Sequence, residues 1–338
     1  MPRLPHPLPR RTALSGPEPS ARPAGSRRRL AAPAAVAALA LGLGAAACSS
    51  GQASSPRTPL AVSTPTAKPT PAAPEELPMG GRTIFPKYRL VAYYGAAYDG
   101  AMGVLGATKP DQMANSLALQ AAAYAPYGKP VLTCFELITT VANATPGADG
   151  MYSSRGKPDM VAEYLAAARR HKSLLLLDLQ PGRDTFINQL KPYARFLKEP
   201  EVGVALDAEW RTPDARPGKT LGHTSAAEIN AVGDYLAGIT KQYDLPQKLL
   251  VLHQFRASMI PDRDKIKDWP ELAETLQMDG TGIGPNGNND KLKVYGILVP
   301  ENTRFYPGFK VFYKQDYDPL SPAEVMALKP RPVFISYQ

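Results

Sequence analysis

Cysteine is nearly absent from this chain. Of the two in 338 residues, Cys48 closes an apolar stretch near the N-terminus and Cys134 stands alone in the remainder. A lone thiol makes no internal disulfide, so the folded part must rely on a conventional hydrophobic core. Histidine is scarce as well, with four in the whole chain and no His-x-His on the first strand candidate. That argues against a zinc centre of the kind common barrel metallohydrolases use. No G-x-G-x-x-G follows the first strand candidate, where the sequence runs Tyr94-Gly95-Ala96-Ala97-Tyr98, and neither a Walker A sequence nor G-x-S-x-G occurs. Dinucleotide binding, phosphate-loop chemistry and the serine-hydrolase elbow are thereby set aside, and no cofactor is expected.

A strong charge of one sign is also lacking once the N-terminal stretch is considered apart. The whole chain carries 39 Lys and Arg against 30 Asp and Glu, a formal net of +9. The first 47 residues hold seven Arg and one Glu, leaving 32 basic and 29 acidic residues beyond them, a net of +3. No basic block interleaved with aromatics follows, so nucleic acid is not an expected partner.

Residues 1–47 read as a signal peptide. Arg27-Arg28-Arg29 leads into a small, apolar run from Leu30 to Ala47 that stops at Cys48. At 18 residues, largely Ala and Gly, the run is marginal for crossing about 30 Å of hydrocarbon, so a retained transmembrane anchor is the lesser reading. Between Ser49 and Gly80 lie seven prolines and no aromatic residue, too little apolar area to fold. Residues 48–80 are therefore expected to be a disordered tether spanning roughly 30 Å or more. Residues 81–338 show no further composition shift and are expected to form one domain, most simply a monomer.

Within that domain, apolar runs of strand length alternate with amphipathic helical segments, the pattern of parallel strands joined by crossover helices. Strands are expected at Tyr88 to Tyr94, Val131 to Leu137, Leu174 to Gln180, Val202 to Glu209, Leu249 to Gln254, Thr275 to Asp279, Phe309 to Gln315 and Val333 to Tyr337. Helices are expected at Asp111 to Tyr124, Asp159 to His171, Asp184 to Lys198, Ala226 to Tyr243 and Asp290 to Val299, with Pro192 kinking or splitting the third. Ser225-Ala226-Ala227-Glu228 reads as a capping box for the fourth. Eight such repeats predict an α/β fold of the (β/α)8 type. Connections leaving strands are longer than those entering them, which places the working site at the C-terminal end of the barrel. The chain ends on the eighth strand, so the usual last helix is missing, and the segment before Tyr88 is expected to cover that gap.

In such a barrel the strand tips converge. They carry Tyr93 and Tyr94, Glu136, Asp178 and Gln180, Asp207 and Glu209, His253 and Gln254, Gln277 and Asp279, Tyr313 and Gln315, and Tyr337. Strand alternation puts Asp207 and Glu209 on one face, and repeats that spacing in Asp178/Gln180 and Gln277/Asp279. Paired carboxylates in a cleft suit glycosidic-bond hydrolysis, which needs an acid for the leaving oxygen and a carboxylate nucleophile or base. Glu209 is the expected acid, because neighbouring carboxylates and the adjacent Trp210 raise its pKa. Asp207, Glu136 and Asp279 compete for the second role. Tyr93, Tyr94, Asp178, Gln180, Trp210, His253, Gln254 and Tyr337 are the expected substrate-binding residues.

Leu43-Gly44-Ala45-Ala46-Ala47-Cys48-Ser49-Ser50 resembles a bacterial lipobox, with Ala45 where the pattern usually has Leu. The resemblance implies that Cys48 becomes the diacylated first residue of a lipoprotein held on the extracytoplasmic face of the cell membrane. Ser26-Arg27-Arg28-Arg29-Leu30 also resembles a twin-arginine signal, which implies export in the folded state; the general secretory route stays open. Gly203-Val204-Ala205-Leu206-Asp207-Ala208-Glu209 resembles the fourth-strand motif of chitinase-type glycoside hydrolases and the Asp-x-Glu of a barrel muramidase family. The first resemblance implies Glu209 as proton donor assisted by Asp207. Val202 and Ala205 replace two acids of the chitinase motif, so that assignment does not carry over. The layout from leader to Tyr337 is similar to bacterial secreted lipoproteins with a glycosidase-like barrel, a likeness that implies fold and location but no activity. The expected partner is a saccharide or cell-wall polymer. Two alternatives remain: a noncatalytic saccharide-binding lipoprotein on the same barrel, and an oxygen-rich divalent-metal site among Asp178, Asp207, Glu209, His253 and Asp279, the metal site being the lesser expectation.

Overall fold

The structure, a computed structural model, describes residues 74–338. The expected leader of residues 1–47, Cys48 and the tether up to residue 73 lie outside the described residues. Nine strands form: β1 (Arg89–Ala96), β2 (Val131–Ala142), β3 (Ser153–Arg155), β4 (Leu174–Leu179), β5 (Val202–Asp207), β6 (Lys248–His253), β7 (Leu272–Met278), β8 (Tyr306–Val311) and β9 (Phe334–Tyr337). Eight of them are parallel and close in the order β1-β2-β4-β5-β6-β7-β8-β9, with β9 returning to β1. The short β3 pairs antiparallel with the overhanging end of β2. This is the expected (β/α)8 barrel, with one added ribbon at its C-terminal rim.

The helices are α1 (Pro110–Ala122), α2 (Pro158–Arg170), α3 (Phe186–Leu190), α4 (Ala226–Gln242), α5 (Gly287–Leu298) and α6 (Pro322–Ala327). Pro192 does split the third segment: α3 ends at Leu190 and two 3-10 turns follow, Lys191–Tyr193 and Phe196–Lys198. In α4, Ile229, Val232, Leu236 and Ile239 form the buried stripe their spacing predicts. Ser225 caps this helix by accepting from the Glu228 N–H, but the Glu228 carboxylate does not reach back to complete a capping box. It accepts instead from Arg211 Nε, Thr224 and the Phe186 N–H. A complete capping box stands at Ser321 and Glu324 of α6. None of the described helices is long and apolar enough to cross a membrane.

Alternation along the strands divides the core in two. Val91, Leu137, Leu177, Val204, Leu250, Leu276 and Ile335 face outward and pack with the helices. Leu90, Ala92, Leu132, Cys134, Leu174, Leu176, Ala205, Leu249, Val251, Ala273 and Phe334 face inward and fill the lower barrel. Leu77, Ile84, Phe85 and Tyr88 join that inner cluster, so the segment before β1 seals the N-terminal end of the barrel. Its apolar side chains cover the strand starts at the lower mouth. The segment is pinned by Ile84 N–H to Gln247 Oε1 at 3.0 Å and by Gln247 N–H to the Arg82 carbonyl at 2.8 Å.

Gly203 of β5 faces this interior with no room to spare. A methyl group there would lie 2.6 Å from the Leu249 carbonyl oxygen and 2.8 Å from Leu176 Cδ2. Gly203→Ala is therefore expected to overpack the barrel and destabilise the protein by about 1–3 kcal/mol. Urea unfolding measures this, and an unchanged midpoint would refute the packing argument.

Candidate active site

Above the apolar layers the barrel turns polar. Strand pairing sets Tyr94 beside Glu136, Asp207 beside His253, His253 beside Gln277, and Lys310 beside Ser336, all near one height. Parallel strands closed into a barrel bring inward positions near their C-terminal ends together, so residues distant in sequence meet. Glu136, Asp178, His253, Gln277 and Ser336 are fully buried there, and Asp207, Asp279 and Lys310 nearly so.

His253 organises this layer. Its Nδ1 lies 2.9 Å from Asp279 Oδ2 and its Nε2 lies 3.0 Å from Glu136 Oε1. Both ring nitrogens thus face carboxyl oxygens, an arrangement that the doubly protonated imidazolium satisfies by donating to each. Burial alone would lower the His253 pKa, yet Asp279 and Glu136 outweigh it and hold the value well above the usual histidine range. A second chain runs from Gln180 Nε2 to the Tyr94 hydroxyl at 3.1 Å and from that hydroxyl to Asp207 Oδ2 at 3.5 Å. Gln277 donates to Ser336 across the barrel. Burial raises the carboxyl of Asp207 well above its usual range, and it raises Asp178 to about 7.

The expected strand tip from Asp207 to Glu209 breaks after Asp207. Residues Ala208–Trp210 form a 3-10 turn whose N-cap is Asp207, with Oδ1 accepting from the Glu209 N–H at 3.2 Å. Glu209 therefore does not share a strand face with Asp207. The turn carries it outward, to the half-buried rim. Gly222 holds it from above: its N–H donates to the Glu209 carbonyl at 2.8 Å, and a methyl group there would sit 2.3 Å from that oxygen. Only glycine allows the 211–225 loop to lie this close.

A cavity of about 480 Å³ opens above the polar layer at the C-terminal face. Tyr94, Gln180, Asp207, Glu209 and Asp279 line it, with Trp210, Phe255 and Phe312 as aromatic walls. Of the four expected catalytic residues, it gathers Glu209, Asp207 and Asp279. Glu136 lies beneath the floor with Asp178 and His253, fully buried and outside the lining. Three expected binding residues face the other way. Tyr93 and Tyr337 belong to the outer, helix-side core, where Tyr337 stacks on Tyr313 at 5.1 Å and bonds the Tyr124 hydroxyl. Gln254 is spent on the Arg256 carbonyl at 3.0 Å and on Arg263 at 2.7 Å. The physical reason is one of period: Tyr94 and His253 point inward, so their strand neighbours cannot.

The structure adds residues that the sequence did not single out as functional. Lys310 lines the cavity with its Nζ 3.3 Å from the Tyr94 ring centroid, a cation–π contact. Lys291, in the first turns of α5, pairs with Asp316 at 2.6 Å, both side chains almost wholly buried. Asp316 also accepts from the Gly282 and Phe312 N–H groups, so the pair ties together the loops after β7 and β8. Among the described residues no Lys or Arg forms an ion pair with Glu209, Asp207, Asp279, Glu136 or Asp178; only His253 approaches the last three within 4.0 Å. Glu209 in particular has no counter-ion. Burial, and then the negative charge of Asp279, raise its carboxyl to about 7 against the opposing pull of Lys310 and His253.

Fold and site together define a (β/α)8 barrel protein with an acid-lined cavity at its C-terminal face. No family profile and no curated protein matches the chain. Among solved structures it bears a likeness to one described as "The crystal structure of AsfvAP:AG", at 12% identity and a TM-score of 0.25, over 68% of this chain and 61% of that one. The likeness is too slight to carry an argument.

The raised Glu209 value has a consequence for stability. The folded protein holds that proton up to about 7, whereas an unperturbed glutamate releases it near 4.5. Folding takes up a proton between these values, so this residue's contribution to stability declines as pH rises through that window. Glu209→Gln is expected to gain stability relative to the parent protein across the same window and to keep the gain above it. Denaturant unfolding below pH 4.5 and above pH 7 tests this; a pH-independent difference would contradict it.

Proposed function

We propose that the protein is a glycoside hydrolase of the extracytoplasmic face, anchored to the membrane by lipid on Cys48 and acting on a polysaccharide or cell-wall glycan. The observation that carries this reading is Glu209, a carboxyl that keeps its proton to about 7 and has no ion-pair partner, in the same cavity as Asp279. An acid of that kind suits protonation of a glycosidic oxygen near neutral pH.

The roles divide by environment. Glu209 donates the proton to the leaving oxygen. Asp279, which lines the same cavity and is held through Oδ2 by His253, supplies the carboxylate that attacks the anomeric carbon or activates a water. Asp207 is a positioning residue, because it caps the turn that presents Glu209. Trp210, Phe255 and Phe312 offer apolar faces for sugar rings. The lipobox-like stretch ending at Cys48 and the proline-rich tether support the location.

The test is incubation of the purified protein with a panel of bacterial and plant glycans, following released reducing ends. Glu209→Gln and Asp279→Asn are each expected to lower kcat by about 10²–10⁴-fold. The rate should fall as pH rises past about 7, where Glu209 loses its proton. Undiminished product from Glu209→Gln would remove it as the acid. Binding of a glycan without product from any would turn the reading to the noncatalytic saccharide-binding lipoprotein.

A further inference from the structure

Glu136, Asp178, Asp207, Glu209 and Asp279 outnumber the cations set among them, His253 and Lys310. If all ionise, three negative charges stand without a counter-charge in a region largely closed to water, a costly state. The excess is sharpest at and beneath the cavity floor. Glu136 Oε2, Asp279 Oδ1 and both oxygens of Asp178 are buried with no hydrogen-bond partner among the described residues. Native interiors seldom leave so many acceptors bare in one place.

The geometry around His253 Nε2 explains the group. That atom is 3.0 Å from Glu136 Oε1 and 3.6 Å from Asp178 Oδ2. A single N–H serves Glu136 only, since 3.6 Å is too long for a hydrogen bond. The same separations suit ligand atoms that share one ion at about 2.0–2.2 Å from each. One ligand atom from each of Glu136, Asp178 and His253 lies within 4.8 Å of the others. On the opposite side of the ring, Nδ1 meets Asp279 Oδ2 at 2.9 Å, the outer carboxylate contact that fixes the tautomer and orientation of a metal-bound imidazole. A second grouping, Asp207 with His253 and Asp279, would sacrifice that hydrogen bond and leave Asp178 bare, so the first is favoured.

We propose that Glu136, Asp178 and His253 Nε2 bind one divalent first-row transition ion, Zn²⁺ or Mn²⁺, with Asp279 holding the imidazole from behind. Mixed nitrogen and oxygen donors favour such an ion over Ca²⁺ or Mg²⁺, which take oxygen shells. The ion replaces the second imidazole proton and supplies positive charge where the carboxylates lack it. It ties β2, β4 and β6 together one layer below the cavity. The site stands whether or not the cavity above it hydrolyses glycans.

The test uses the purified full chain, stripped with a chelator and titrated separately with Zn²⁺, Mn²⁺, Ca²⁺ and Mg²⁺ by calorimetry, with Tm followed in parallel. The expected result is one equivalent of Zn²⁺ or Mn²⁺ and a raised Tm. Asp178→Asn is expected to lose at least about ten-fold in affinity, and Asp279→Asn about 10–100-fold with stoichiometry kept. Metal-free Asp178→Asn should melt at or above the metal-free parent, because an unpaired buried carboxylate is gone, yet gain nothing from the ion. Asp111→Asn, at an exposed acid on α1, should bind as the parent does. Failure of the parent to bind any of the four ions stoichiometrically, or unchanged affinity in Asp178→Asn, would overturn the proposal. Equal or tighter binding of Ca²⁺ or Mg²⁺ would overturn the choice of ion.

Discussion

The rest of the site depends on the contact of one imidazole with two buried carboxylates. His253 of β6 sits fully buried between Glu136 of β2 and Asp279, the residue that follows β7. Without a positive group at the centre, that layer would gather like charges in a medium that screens them poorly. With it, Asp279 is fixed by one oxygen and left with the other uncommitted. Glu209, on the turn after β5 and without an ion-pair partner among the described residues, then feels a net negative neighbourhood and keeps its proton. The placement of one histidine thus separates two carboxyl groups into different protonation roles.

The lower barrel serves this arrangement by what it excludes. Its inner surface is mainly Leu, Val, Ala, Phe and one Cys, and Leu77, Ile84, Phe85 and Tyr88 close its end. The hydroxyl of Thr275, a buried polar side chain of this layer, is spent on the Ala273 carbonyl, so the acids above rest on a mainly apolar floor. Burial is the largest cause behind the raised carboxyls of Asp178, Asp207 and Glu209. The apolar core beneath these acids, with members as near in sequence as Leu176 and Ala205 and as far as Leu77, therefore participates in setting their chemistry.

Much of the fold was legible because each barrel strand is an apolar run flanked by turn residues, as Leu174 to Leu179 and Val202 to Leu206 are. Where that contrast fails, so does the reading: β8 begins at Tyr306-Pro307-Gly308, three residues before the expected Phe309, because Pro and Gly disguise a strand start. The inward positions of Asp178, Asp207, His253 and Asp279 followed from period and strand count. Tyr93, Gln254 and Tyr337 suit a saccharide chemically, yet alternation turns them away from the cavity, because their neighbours Tyr94, His253 and Ser336 take the inward face. The turn that displaces Glu209 was harder to see, since it arises from an Asp207 side chain capping its own backbone two residues on. The Lys291–Asp316 pair joins two loops and leaves no periodic trace at all.

The two principal acids of the cavity are carried by different kinds of support. Asp279 follows directly on β7, and its oxygen is pinned to a buried ring, so its position belongs to the barrel. Glu209 stands on a turn clamped by Gly222 from the 211–225 loop, so its position belongs to that loop. The gap between these two carboxyl groups, the kind of distance that in glycosidases decides between retention and inversion, is thus an adjustable dimension. Changes confined to one surface loop can widen or narrow it while the eight strands keep their register, leaving the spacing of the two acids free to evolve separately from the stability of the scaffold.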